Sequence, residues 1–102
     1  MGIRIGRWTF QGPYTSPDSL EDRPGVYAVL DSAASQYSLL DCGESATVKT
    51  RLEAHDRADC WARTARGRVV YAALYTPNLR APDRREIERE IREQYSPPCG
   101  DR

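Results

Sequence analysis

With 102 residues, 39% of them apolar and 29% charged, the sequence has room for one domain with a single modest core. Its 15 basic residues balance 15 acidic ones, which excludes a globally basic, sequence-blind nucleic-acid binder whose affinity comes from releasing many counterions. The cysteines Cys42, Cys60 and Cys99 are odd in number without C-x-x-C spacing, and MGIRIGRWTF lacks the apolar run of a signal peptide or membrane span, so a reduced cytoplasmic protein with no membrane segment is expected.

Residues 1–23 carry Trp8, Phe10 and Tyr14 among glycine, proline and serine, with a weak alternation in Ile3, Ile5 and Trp8. They predict an N-terminal arm or edge strand laid on the domain formed by residues 24–102. After Pro24 and Gly25, VYAVL (Val26 to Leu30) reads as a strand with Val26, Ala28 and Leu30 on one face and Tyr27 and Val29 on the other. A short polar loop leads to a second strand, Tyr37 to Cys42, so the pair predicts an antiparallel hairpin with Asp41 on the face of Leu39.

Gly43 is expected to turn the chain, and Ser45 to cap a helix from about Ala46 to His55, in which Val48, Leu52 and His55 form a stripe with Arg51 at its edge. Asp59 to Arg66 predicts a short helical turn with Cys60 and Trp61 inward. VVYAALY (Val69 to Tyr75) is apolar on both faces and predicts the central strand. Pro82 and Asp83 suit the first turn of a last helix, with Ile87, Ile91 and Tyr95 buried, which Pro97 and Pro98 end. The expected class is α+β: a small three-stranded, mainly antiparallel sheet flanked by helices, with the N-terminal arm.

This layout gathers Tyr27, Asp41, Arg51, His55 and Glu88 near the core. A tyrosine, a histidine, an arginine and two carboxylates are the groups that hydrolysis of a phosphodiester asks for: a base for the water, a carboxylate for a divalent ion and a cation for developing charge. Each has a plainer role as well. Tyr27 suits a core position, His55 a satisfied boundary, and Arg51 and Glu88 solvated helix charges. Arg57, Arg63, Arg66 and Arg68, set against Asp59 alone, form a local basic patch or else a solvated loop.

The order and spacing of these residues resemble the GIY-YIG nuclease superfamily. Its first motif looks like Gly25-Val26-Tyr27 after Pro24, and its second falls at Asp41-Cys42-Gly43, followed by Glu44-Ser45. Its helix arginine corresponds to Arg51, with His55 one turn on, and its metal-binding glutamate to Glu88. Two positions depart from the pattern: Asp41 stands where the second motif has tyrosine, and Gly100 where an asparagine is usual after the terminal Pro-Pro.

The resemblance implies a metal-dependent endonuclease acting on nucleic acid, DNA in the first instance. Mg²⁺ or Mn²⁺ would be held by Glu88, with Asp41 beside it or acting as base with His55. Arg51 would stabilise charge and Tyr27 position the phosphate. Gly43, Ser45, Lys49, Arg57, Arg63 and Arg66 are the expected nucleic-acid contacts. Specificity is expected from loops such as Thr76 to Ala81, from a homodimer or from a targeting partner. An inactive nucleic-acid or partner-binding module on the same scaffold is the alternative. A zinc site built from the three cysteines and His55 is a further reading, whose spacing matches no standard finger.

Overall fold

A computed structural model of the chain describes residues 2–100. Residues 1, 101 and 102, which the two expected segments include, lie outside the described residues. Eight elements follow in order: β1 Gly2–Ile5, β2 Trp8–Tyr14, β3 Gly25–Ala33, β4 Gln36–Ser45, α1 Val48–Glu53, α2 Ala58–Thr64, β5 Arg68–Tyr75 and α3 Ala81–Tyr95. A short 3-10 turn, Pro17–Ser19, lies between β2 and β3.

The strands form one five-stranded antiparallel sheet in the order β1-β2-β5-β3-β4. The expected three-stranded sheet is therefore wrong by two strands, both drawn from the segment read as an arm or edge strand. Gly6 and Arg7 close the β1–β2 hairpin, with Gly6 at φ 61°. That two-residue turn suits the twist of paired strands, and β2 then pairs with β5. The alternation in 2–14 is too weak to show this. Pairing supplies what side-chain pattern does not, and Phe10 and Ile5 are buried all the same.

β5 is central, as its double-sided apolar run implies, because β2 and β3 flank it. Val26, Ala28 and Leu30 of β3 pack with Cys42, Val70 and Ile91 under α3, while Tyr27 and Val29 face Leu40, Val48 and Trp61 on the side of α1 and α2. The sheet thus lies between two helical layers. Ile91 is buried in α3 and Ile87 partly so, whereas Tyr95 is 42% exposed and accepts a hydrogen bond from the Gly6 amide through its hydroxyl.

Two local features differ from expectation and both concern the site. Opposite Val29 lies Asp41, yet opposite Leu30 lies Leu39, so Leu40 is a bulged residue. The bulge reverses the alternation, placing Leu39 with the α3 face and Asp41 with Tyr27. Gly43 does not turn the chain either: it continues β4, paired with Tyr27, and β4 runs on to Ser45. α1 starts later than expected, with Thr47 before it and the Ser45 hydroxyl accepting from the Thr47 amide at 2.9 Å.

Cys60 and Cys99 form a disulfide, contrary to the reduced state expected from an odd cysteine count, and Cys42 is free and buried. Spacing gave no hint of the bond, because only the fold brings α2 against the segment after α3. It removes two ligands from the zinc reading, and it is at odds with a reducing compartment. No helix among the described residues is long and apolar enough to cross a membrane.

The bond closes a loop between residues 39 apart in sequence, a constraint worth about 3–4 kcal/mol in the loop-entropy account. Reduction is expected to lower the urea midpoint accordingly. Alkylation of the unfolded, unreduced protein should label Cys42 alone; labelling of all three cysteines there would show that the bond does not form.

Candidate functional site

The site begins at Tyr27, which β3 points between the sheet and α1. Its ring lies over the Cα of Gly43 on the paired strand, and a Cβ at that position would overlap the phenol oxygen. Gly43 is thus required for close approach. The Tyr27 hydroxyl sits 2.6 Å from His55 Nε2, and both side chains are almost wholly out of solvent.

The other ring nitrogen fixes the proton. His55 Nδ1 accepts from the Arg57 backbone N–H at 3.0 Å, so in the neutral ring the hydrogen-bond network assigns the proton to Nε2, which donates to Tyr27. Burial, reinforced by Arg51 and Arg57, lowers the His55 pKa from 6.5 to about 4, so the ring is neutral at physiological pH. Tyr27 in turn keeps its proton, because burial and the charge of Asp41 push its pKa up to about 12. With its oxygen accepting from His55, the Tyr27 hydroxyl proton is left to donate elsewhere.

Asp41 is the most heavily engaged side chain of the set. It is fully buried, and its oxygens accept from Arg57 Nε at 2.8 Å and Nη2 at 3.3 Å, Trp61 Nε1 at 2.8 Å, Arg92 Nη2 at 2.7 Å and the Cys42 amide at 2.7 Å. Burial alone would raise its pKa. The bonds from Arg57, Trp61 and Arg92 outweigh that and hold it below the ordinary 3.8. A carboxylate offers about four lone-pair sites, so Asp41 has none left for a water or an ion. The expected base and second metal ligand is instead an anchor for two cations. Gly100 lies directly over this cluster, and a side chain there would strike Arg57 and Asp41.

Glu88 lies on α3 and accepts from Arg92 Nε at 3.1 Å, and its charge acts on both Tyr27 and Cys42. Arg51 extends from α1 to Asp56 at 3.2 Å, about a third exposed, and its charge also acts on Tyr27 and His55. The structure therefore brings Tyr27 and His55 together with the Arg51 charge acting on both, while Glu88 lies on α3, in the helical layer on the other face of the sheet. It does not do the same for the expected backbone contacts. Arg57 is turned inward to Asp41, while Arg63 and Arg66 lie exposed around the far end of α2, where the Arg66 amide donates to Asp31 at 2.9 Å.

Arg57 as an inward anchor, Trp61, Arg92 and Asp56 were not visible as site residues. Arg92 had a signal, its position one turn after Glu88; the others had none beyond a tryptophan read as core. No group of three or more carboxylate, histidine or cysteine side chains suited to hold a metal ion exists among the described residues. Glu88 is engaged by Arg92 and Asp56 by Arg51, so the carboxylates near these residues do not form a ready-made cage for an ion. A hydrated Mg²⁺ or Mn²⁺ shared with a phosphate would need only one protein carboxylate.

Two outcomes follow from this geometry. Gly43→Ala should displace Tyr27 and destabilise the protein by about 1–3 kcal/mol, in the range for overpacking; an unchanged denaturation midpoint would show that Tyr27 does not lie over residue 43. As pH falls, the unfolded chain protonates its histidine near 6.5 and the folded one only near 4, so the contribution of neutral His55 is complete above 6.5 and is lost down to about 4. The melting temperature should fall through that window, and His55→Gln should flatten the fall; identical profiles for the two proteins would contradict a buried neutral ring. Compared with known proteins, the chain matches no family model, no curated protein and no solved structure.

Proposed function

We propose that this protein is a metal-assisted endonuclease that hydrolyses phosphodiester bonds in nucleic acid, DNA in the first instance, as its GIY-YIG-like motifs imply. The observation that carries the reading is the contact of Tyr27 with His55 at 2.6 Å, with the charge of Arg51 acting on both. Tyr27 comes from β3, Arg51 from α1 and His55 from the segment between α1 and α2.

In this reading each side chain has a task set by its protonation. The Tyr27 hydroxyl, accepting from His55, would donate a hydrogen bond to a non-bridging phosphate oxygen and fix the scissile group. Arg51 supplies positive charge where the phosphoryl oxygens gain negative charge, which is the larger part of phosphoryl-transfer catalysis. Glu88 would hold Mg²⁺ or Mn²⁺ together with the phosphate. Such an ion, when bound, supplies charge neutralisation and a more acidic water. Arg92, donating to Glu88 at 3.1 Å, orients its carboxylate.

A second reading, a binding module without turnover, has one observation in its favour: Asp41 replaces the second-motif tyrosine and has no free acceptor, so the chain offers no replacement there for a group that activates water. Incubating supercoiled plasmid with the protein and Mg²⁺ or Mn²⁺ separates the two. Hydrolysis is expected to give nicked circles, to stop with chelator, and to fall by about 100-fold or more in Arg51→Ala and Glu88→Gln. Retarded mobility of DNA without any nicking would favour the module, and undiminished nicking by both variants would remove these residues from the mechanism.

A further inference from the structure

We infer that Asp41 is a positioning residue: by holding Arg57 and Trp61 it fixes the two groups that orient the His55 ring, and through that ring the Tyr27 hydroxyl. The inference gives the proposed nuclease site a means of alignment and rests on that reading for its purpose, though not for its test.

The geometry runs in one direction. The bulge at Leu40 turns Asp41 to the face of Tyr27 and α2. Arg57 approaches it through Nε and Nη2, the two edges of a planar fork, which fixes the side chain and with it the residue's backbone. That same residue supplies the N–H at 3.0 Å from His55 Nδ1. Trp61 is tied to Asp41 by its indole N–H at 2.8 Å, while its ring centre lies 4.7 Å from that of His55. Both the hydrogen-bond donor and the aromatic wall that set His55 are therefore secured at one carboxylate, which itself touches neither His55 nor Tyr27 by hydrogen bond.

Simple charge would act differently. The groups facing His55 are Tyr27 from β3, Asp41 from β4, Arg51 from α1, and Asp56 and Arg57 from the segment before α2. Among them the Asp41 charge raises the affinity of His55 for a proton. If its field were all that mattered, neutralising Asp41 would lower the titration point of His55. Loss of positioning does the reverse, because a ring released from Arg57 and Trp61 gains solvent and moves toward the ordinary 6.5.

Long-range ¹⁵N–¹H spectra of the histidine ring in the disulfide-bonded 102-residue chain read both the tautomer and the titration, with neither substrate nor metal present. Wild type should show the Nε2–H form and titrate near pH 4. In Asp41→Asn the midpoint should rise by roughly one unit or more, with the two tautomers mixed. Should that variant not fold, Arg57→Lys decides, since it keeps the charge and loses the fork; it should shift the midpoint in the same direction by less. Arg92→Gln, which reaches Asp41 without reaching His55, should leave both signatures as in wild type. A midpoint that stays or falls in Asp41→Asn, or in Arg57→Lys where the first is unfolded, overturns the inference. A protein that fails to nick DNA but shows these shifts would lose the nuclease reading alone.

Discussion

A single carboxylate buried at the edge of the sheet organises the half of the molecule that carries the candidate site. Asp41 receives Arg57 and Trp61 from one helical layer and Arg92 from the other, so the two layers meet on it around β4. Arg92 also donates to the carbonyls of Cys42 and Cys99, and the Cys99 amide donates to Leu40 at 2.9 Å. These contacts close the outer edge of β4 with the residues after α3. Removing one partner of a buried, hydrogen-bonded charge leaves the other uncompensated, at a cost of about 3–5 kcal/mol. The cluster therefore specifies one arrangement of α2, α3 and the C-terminal segment more than it adds net stability.

Tyr27 and His55 show the complementary principle. They are neutral, buried and hydrogen-bonded to each other, so their place in the site depends on shape: a strand position without a Cβ beneath the phenol and a tryptophan beside the imidazole. The charged Arg51 reaches nearer solvent, where it is paired with Asp56 and spared the cost of a buried unpaired ion.

Much of this was legible in the sequence, and the reasons are specific. The alternation of Val26 to Leu30 showed both faces of β3, the run Val69 to Tyr75 showed a strand covered on both sides, and Ile87 and Ile91 showed the inner face of α3. Tyr27 and His55, named on different elements, do meet at 2.6 Å, since the alternation of β3 and the helical stripe ending at His55 both point into the same layer. What escaped was set by pairing and by long-range geometry. The β1–β2 hairpin depends on backbone bonds that a mixed polar pattern does not advertise. A one-residue bulge at Leu40 moved Asp41 to the other face, which no periodicity argument anticipates. The Cys60–Cys99 bond and the inward turn of Arg57 both depend on where the chain ends up, and not on its local composition.

The N-terminal hairpin carries a consequence for how the chain must be handled. Because β2 pairs along β5, a chain begun at Pro24 would leave the most apolar strand of the protein with a bare row of amides and carbonyls along its outer side. Such a border is a template for strands from neighbouring molecules, and a trimmed product would tend to stack into aggregates before its chemistry could be assayed. The first fourteen residues thus serve the central strand as a selvedge serves cloth.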